Sequence, residues 1–147
     1  MPSFRHALSM TLLALLLVGC AGGHAPVSQP DETLSAPVVG PRWNLLLVGT
    51  SDRLDMPTTP FFQITPDGRV SGHDGCNRLT GRVELSPKQR IAFEDLATTR
   101  MACARGEEAT RVRGLLEQAY AYLIDHDRLV FFGPDQRVLG GFRRVDG

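Results

Sequence analysis

A histidine, an acid and a cysteine lie within four consecutive positions of this chain, at His73, Asp74 and Cys76. A cysteine close to a histidine is the arrangement of a thiol nucleophile and its base. The same two side chains, joined by Cys103 and His126, are of the types that bind zinc. The sequence therefore raises a thiol enzyme and a metal site as hypotheses, against a third in which this stretch is a tight turn between strands.

The neighbouring sequence supports neither chemical hypothesis. Residues three apart on an extended strand point to opposite faces, so His73 and Cys76 need a turn to meet. No oxyanion motif or helix N-terminus adjoins Cys76 to activate its thiol. No C-x-x-C or H-E-x-x-H spacing accompanies the candidate ligands, and His126, within "DHD", fits a turn. We predict no catalytic residue, no metal site and no cofactor.

Three glycines surround the same stretch, at Gly72, Gly75 and Gly81. Their spacing does not match the G-x-G-x-x-G phosphate-binding pattern, and no G-K-[ST] follows. Bulges, turns and close backbone approach are the ordinary uses of such glycines. The short amide of Asn77 can cap a turn or bond to buried backbone groups. We predict that these four residues shape the loop that carries Cys76.

The N-terminus carries a processing signal. Residues 1–19 join a short segment containing Arg5 to the apolar run "ALSMTLLALLLV", which is too short to span a bilayer comfortably. The "LVGC" that ends at Cys20 resembles a bacterial lipobox, in which the signal peptidase cuts before the cysteine and the cysteine is acylated. Ala21 after it favours the outer membrane, by resemblance to enterobacterial lipoproteins. The sequence thus predicts a signal peptide over 1–19 and a lipid-anchored protein that faces the periplasm.

A tether and one domain follow the signal. Residues 20–42 begin with the acylated cysteine, are rich in Gly, Pro and Ser and show no apolar period, so we predict a disordered spacer. A single domain over 43–147 is expected. Removal of residues 1–19 takes away Arg5 and leaves 15 basic and 16 acidic side chains, a net charge of −1. This balance argues against a nucleic-acid partner.

The sequence of the domain predicts short strands and one helix. "WNLLLVGT" predicts a first strand with Trp43, Leu45 and Leu47 on one face. Three hairpins are predicted: "FFQIT" with "RVSG" across "PDG", "LTGRVEL" with "RIAFEDL" across "SPKQ", and "RLVFFG" with "RVLGGFRRV" across "PDQ". The predicted fold is α+β and mainly β, a small antiparallel barrel-like sheet of about seven or eight strands with one packed helix.

The helix is predicted in "GEEATRVRGLLEQAYAYL", residues 106–123. Its apolar positions recur at three- and four-residue spacing, at Ala109, Val112, Leu116, Ala119 and Leu123. A strand that begins at Tyr120 or Tyr122 and turns at "DHD" is an open alternative for the end of this segment.

Two sequence blocks and one tryptophan resemble the META domain, the family of the heat-shock protein HslJ, formerly a domain of unknown function. The first block has the family's G-x-x-G-C-N-x-x-x-G pattern and the second its T-x-M-A-C pattern, after an opening W-x-L. The matching residues are Trp43, Gly72, Gly75, Cys76, Asn77, Gly81, Thr99, Met101, Ala102 and Cys103. The resemblance extends over residues 43–144 and implies a small antiparallel barrel with one helix.

The resemblance also bears on function. The family has no established enzymatic activity, and its members are associated with the bacterial envelope, with heat shock and with resistance to stresses that include novobiocin. The chain is therefore expected to be a non-enzymatic envelope lipoprotein that acts by binding or under stress, anchored by its lipid to the membrane, with an envelope protein or ligand as partner. The sequence leaves the identity of that partner and the oligomeric state open.

The predicted lipid anchor and the predicted compartment together indicate a role for each of the three cysteines. Cys20 is assigned to the lipid, which leaves Cys76 and Cys103 as an even pair in an oxidising compartment. We predict a disulfide between them.

Two further features have a second interpretation. Several arginines are expected to form a solvated face, and their convergence would indicate an anion site; they are Arg78, Arg82, Arg100, Arg105, Arg111 and Arg113. The phenylalanines of the strands are expected in the core, with one face extending to the surface; they are Phe61, Phe62, Phe131, Phe132 and Phe142. A cluster of them at a barrel mouth, with an apolar cavity of several hundred Å³, would instead favour a carrier of a small apolar ligand.

Overall fold

The computed structural model describes residues 36–146, which form eight strands and one helix. The elements in chain order are β1 (Arg42–Val48), β2 (Phe61–Ile64), β3 (Arg69–His73), β4 (Arg78–Ser86), β5 (Arg90–Thr98), α1 (Gly106–Glu117), β6 (Ala121–Asp125), β7 (Arg128–Phe132) and β8 (Val138–Val145). The predicted signal peptide, Cys20 and most of the predicted tether lie outside the described residues. No helix in the described part of the chain is long and apolar enough to cross a membrane.

The strands form a closed antiparallel barrel, so the predicted fold class is confirmed. Each strand pairs with the next along the chain, and β8 returns to pair with β1. The seam between β5 and β6 is thin, because only Arg90 and Ala121 are in register there. The helix α1 connects these two strands and packs against β5 and β1. Its buried side chains include Leu115 and Leu116, which join the barrel core.

The three predicted hairpins are confirmed, and their turns contain the conformations that reverse a chain. Gly68 in "PDG" has a φ of 77°, and Lys88 and Gln89 in "SPKQ" have φ values of 62° and 56°. His126 in "DHD" has a φ of 53° and joins β6 to β7. Asn, Asp and Gly tolerate this left-handed region best, so the strand pairing holds Lys88 and Gln89 there against their own preference.

Aromatic rings fill the centre of the barrel. Five ring pairs have centroids 5.0 to 5.7 Å apart, and four of the five meet edge to face. The pairs are formed by Phe62, Phe93, Phe131 and Phe142. Trp43 is fully buried beside them, and its indole Nε1 donates to the carbonyl oxygen of Val38 at 3.0 Å. The expectation of a phenylalanine core is thus confirmed for the inward-facing rings.

The helix is shorter than its apolar spacing predicts. It ends at Glu117, and Ala121–Asp125 form β6, so the alternative of a strand from this region is the correct one. Leu123, which the helical spacing placed in the core, is exposed. The reason is pairing with β7: Ala121 lies opposite Phe132, which brings Tyr122 inward beside the aromatic core.

Two expectations near the start of the domain also need correction. A bulge between Leu45 and Leu47 shifts the alternation of β1, so that Val48 rather than Leu47 packs against the core with Leu45. Residues 36–41 fall in the predicted tether, yet Val38 is fully buried. The ordered domain therefore begins before Trp43, because Val38 both fills the core and accepts the indole hydrogen bond.

Candidate functional site

A disulfide between Cys76 and Cys103 joins the two sequence blocks, as predicted. Their Cα atoms are 6.1 Å apart, and 27 positions separate them along the chain. Cys76 lies in the turn between β3 and β4, and Cys103 lies in the segment between β5 and α1. The bond therefore fixes the approach to the helix onto the end of a hairpin.

Asn77 ties the same two segments by hydrogen bonds. Its Oδ1 accepts from the hydroxyl of Thr99 at 3.0 Å and from the backbone N–H of Met101 at 2.6 Å. The Thr99 hydroxyl oxygen in turn accepts from the backbone N–H of Arg78 at 3.1 Å. The Met101 side chain is exposed, so its backbone is the part that joins this network. We call Cys76, Asn77, Thr99, Met101 and Cys103 the clasp.

Asp74 is the buried polar residue beneath the clasp. Its Oδ1 accepts from the backbone N–H groups of Cys76 at 2.9 Å and Asn77 at 2.6 Å. Its Oδ2 faces the Nε of Arg113 on α1 at 3.5 Å, and the Asp74 side chain is fully shielded from solvent. Arg113 also donates to Thr98 Oγ1 at 3.3 Å. One carboxylate therefore shapes the turn and anchors the helix to it.

Sequence reasoning missed the role of Asp74 and Arg113. The Asp-Gly pair at Asp74 is a turn signal, which points to capping of the following N–H groups. Nothing in the sequence indicates that an arginine on the distant helix reaches the same carboxylate. Arg113 was expected on a solvated face, whereas it is half-buried and paired.

The glycines of the first block each meet a steric demand. Gly75 has a φ of 99°, which side chains rarely adopt, and a Cβ there would overlap Met56. A Cβ on Gly72 would overlap the carbonyl oxygen of Phe61 on the neighbouring strand. Gly81 lies at the bulge between β4 and β5, where a Cβ would be 2.7 Å from the Leu96 side chain. The prediction that all three glycines shape the loop of Cys76 therefore holds for Gly75 alone, because Gly72 lies within β3 and Gly81 within β4.

The disulfide removes the two thiols on which the thiol-enzyme and metal-site hypotheses depend. Neither Cys76 nor Cys103 offers a thiolate for attack or for metal binding. His73 Nδ1 accepts the backbone N–H of Gly75 at 3.0 Å, so the imidazole is engaged in the turn. His126 lies in the β6–β7 turn beside Asp125. Within residues 36–146 no three His, Cys, Asp or Glu side chains group as a metal site would require.

Acids around the helix start pair with two more of the arginines. Arg111 reaches Asp52 at 2.6 Å, and Arg105 reaches Glu108 at 3.0 Å. The pKa of Glu108 is lowered first by its own backbone N–H at the helix start and then by Arg105. Both pairs are largely exposed to solvent, so each contributes little to the stability of the fold.

Removal of the disulfide is expected to lower the free energy of unfolding by about 3.5 kcal/mol, because the bond closes a loop of roughly 28 residues in the unfolded chain. Urea unfolding of the Cys76→Ser, Cys103→Ser double variant measures this loss. Dithiothreitol should shift the unfolding midpoint of the parent chain and leave that of the double variant in place. Equal midpoints for the two chains without reductant would refute a stabilising bond.

A comparison with protein families gives a match over the described domain. A family model described as META domain matches residues 36–146. No curated protein matches the chain.

Solved structures share the fold. An NMR structure of a protein from Burkholderia xenovorans is similar with a TM-score of 0.60 and 19% identity, over 81% of this chain and 98% of that one. A DUF4847 family protein from Bacteroides vulgatus is similar with a TM-score of 0.55 and 12% identity, over 73% and 94%. A further NMR structure has a TM-score of 0.55 and 22% identity, over 70% and 87%. At these identities the likeness concerns the fold alone.

Proposed function

The chain belongs to the META domain family, and on that premise we propose that it is an outer-membrane lipoprotein whose domain faces the periplasm and acts by binding, without catalysis. In this proposal residues 1–19 are the signal peptide and Cys20 carries the lipid. Residues 20–35 then join the lipid to the ordered domain at Ala36. A role under envelope stress is part of the proposal and comes from the family resemblance.

The observation that carries the proposal is the Cys76–Cys103 disulfide. Disulfides persist in oxidising compartments such as the bacterial periplasm and are rare in the cytosol. The bond also occupies the two sulfur atoms on which a thiol or metal-dependent mechanism would depend. One covalent feature thus supports both the compartment and the binding role.

The placement of the tether end supports the same proposal. The first described residues pack at the end of the barrel where β1 begins, since the Gly40 N–H bonds to the carbonyl oxygen of Ile64 at 2.9 Å. The clasp lies where β3 ends and β4 begins, which is the opposite end of the barrel. A domain tethered through Ala36 would therefore present the clasp away from the lipid.

The alternative of a carrier for an apolar ligand finds less support. The centre of the barrel is occupied by Trp43 and four phenylalanine rings in mutual contact. The grooves found over the described residues are open to solvent, and polar side chains contribute to each of them.

Membrane fractionation with acyl labelling tests the proposal. We expect the full-length chain, expressed in a Gram-negative bacterium, to take up labelled palmitate and to sediment with outer membranes on a density gradient. The Cys20→Ala variant should lose the label and leave the outer-membrane fraction.

The Cys76→Ser, Cys103→Ser double variant is the matched control, because it changes cysteines without touching the lipobox. It should keep the label and the membrane position. A parent chain found unlabelled in the soluble fraction, or a label that persists without Cys20, would refute the lipoprotein assignment.

A further inference from the structure

A groove of about 720 Å³ crosses the outer face of strands β2 to β5, next to the clasp. This is within the size range of small-molecule sites. Its lining combines apolar surface, to which Leu79 and Ala97 contribute, with an aromatic ring, hydroxyls, an imidazole and a guanidinium. The polar and aromatic groups come from Phe61, Ser71, His73, Arg78, Thr80 and Thr99. No carboxylate of the described residues lines it.

The register of the strands sets these side chains in two rows. Phe61 lies opposite His73, which lies opposite Arg78. Ser71 lies opposite Thr80 in the adjacent row. Their sequence neighbours Phe62, Val70 and Leu79 are buried in the barrel, so the alternation of each strand directs the groove side chains outward.

The groove presents hydrogen-bond donors that the fold itself does not use. His73 Nδ1 accepts from the Gly75 N–H, so a neutral imidazole carries its proton on Nε2. The hydroxyls of Ser71 and Thr80 make no hydrogen bond to other described side chains or backbone. These groups offer two hydroxyls and one N–H to a ligand.

The charge of the groove is positive. Within residues 36–146 no carboxylate lies within ion-pair distance of Arg78. A second guanidinium, that of Arg42, lies 3.5 Å from the centroid of the Phe61 ring, although Arg42 itself does not line the groove. An anion with several hydroxyl groups is the complement of this surface.

We propose that this groove binds an anionic sugar, a hexose that carries a carboxylate or a phosphate. The guanidinium of Arg78 pairs with the acidic group, and Ser71, His73 and Thr80 bond to the ring hydroxyls. The clasp holds the site in place, because Thr99 Oγ1 accepts the Arg78 N–H and the hydroxyl donates to Asn77. The inference deepens the proposed function and relies on it for the source of the ligand, the sugars of the envelope.

Calorimetry of the full-length lipoprotein in detergent tests the site. The probes are N-acetylmuramic acid for a carboxylate source and N-acetylglucosamine 6-phosphate for a phosphate source, with neutral N-acetylglucosamine and inorganic phosphate as references. We expect one or both acidic sugars to bind at least about tenfold more tightly than either reference, which is the worth of one charge-assisted hydrogen bond. The preferred acidic sugar then identifies the source.

Two variants locate the binding. Arg78→Gln should weaken the preferred sugar by about tenfold or more. Arg82→Gln is the matched control on the same strand, exposed and outside the groove lining, and it should leave affinity unchanged. Circular dichroism of both variants verifies that the barrel is retained.

The remaining outcomes overturn the inference. Equal losses in Arg78→Gln and Arg82→Gln would indicate a general charge effect, and inorganic phosphate as tight as the sugars would indicate an anion site without sugar recognition. Tighter binding of a polyglutamate peptide, or no binding of any probe, would also refute it. Since membrane fractionation tests Cys20 separately, failure here leaves the lipoprotein proposal standing.

Discussion

Replacement of Asp74 by alanine is expected to lower the free energy of unfolding by about 2–5 kcal/mol, because two backbone N–H groups lose a buried acceptor and Arg113 loses its counter-charge. The carboxylate is fully shielded, and three groups depend on it: the N–H groups of Cys76 and Asn77 and the guanidinium of Arg113. Alanine would leave the two N–H groups without their acceptor and Arg113 without its counter-charge, in a place that water does not reach freely. Urea unfolding, followed by the fluorescence of the single Trp43, measures the loss.

Companion variants, among them Arg113→Met alone, separate the contributions. Asp74→Asn should cost less than alanine, because an amide oxygen can still accept both backbone N–H groups. Arg113→Met combined with Asp74→Ala closes a double-mutant cycle, and the coupling energy reports the ion pair alone. Asp67→Ala is the matched control, an aspartate that also pairs with an arginine in a turn but is exposed, and its unfolding curve should remain close to the parent's. Similar losses for Asp67 and Asp74 would refute the buried role.

The hairpins and their turns were predictable because they depend on local signals. Alternating apolar residues and turn residues such as Gly68 act over a few positions, and the observed strands follow them closely. The family blocks likewise placed Cys76 and Cys103 correctly, since the compartment inferred from the lipobox leaves these two sulfurs to pair. The disulfide of the clasp could thus be predicted from the sequence.

The errors arise where distant pairing decides between local alternatives. Helical spacing extends through Leu123, but pairing of Ala121 with Phe132 makes this region a strand. The bulge in β1 likewise follows from its register against β8, where Leu45 meets Phe142 and Leu47 meets Gly141. Contacts of this kind depend on the closed barrel and leave no short-range trace in the sequence.

In the candidate site, too, local sequence signals were predictable and long-range contacts were not. The stretch around His73 suggested a reactive or metal-binding site, because an imidazole, a carboxylate and a sulfur are close in sequence. In the fold the sulfur is oxidised, the carboxylate of Asp74 points inward to Arg113, and the imidazole lines the outer groove. Adjacent residues in a turn between strands point in different directions. The three groups are therefore close in sequence without acting on one another as a site.

Replacement of Phe62 by alanine is expected to destabilise the chain by about 3–5 kcal/mol, the usual cost of removing a large aromatic side chain from a core. Its fully buried ring contacts three others, with centroids 5.0 Å from Phe142, 5.6 Å from Phe93 and 5.7 Å from Phe131. These rings come from four different strands, so a cavity here would loosen the barrel on several sides at once. Urea unfolding monitored by circular dichroism gives the loss.

Phe61→Ala is the matched control, because the same residue type one position earlier faces the outside of the barrel. It should lose the contact with the Arg42 guanidinium, which is worth about 0.5–1 kcal/mol, and the partial burial of the ring, a total below the loss at Phe62. Neighbouring residues of a strand are expected to differ in this way when only one face of the strand is buried. If Phe61→Ala proved as costly as Phe62→Ala, the register of β2 would be wrong, and the outward row of Phe61, His73 and Arg78 that forms the groove would fall with it.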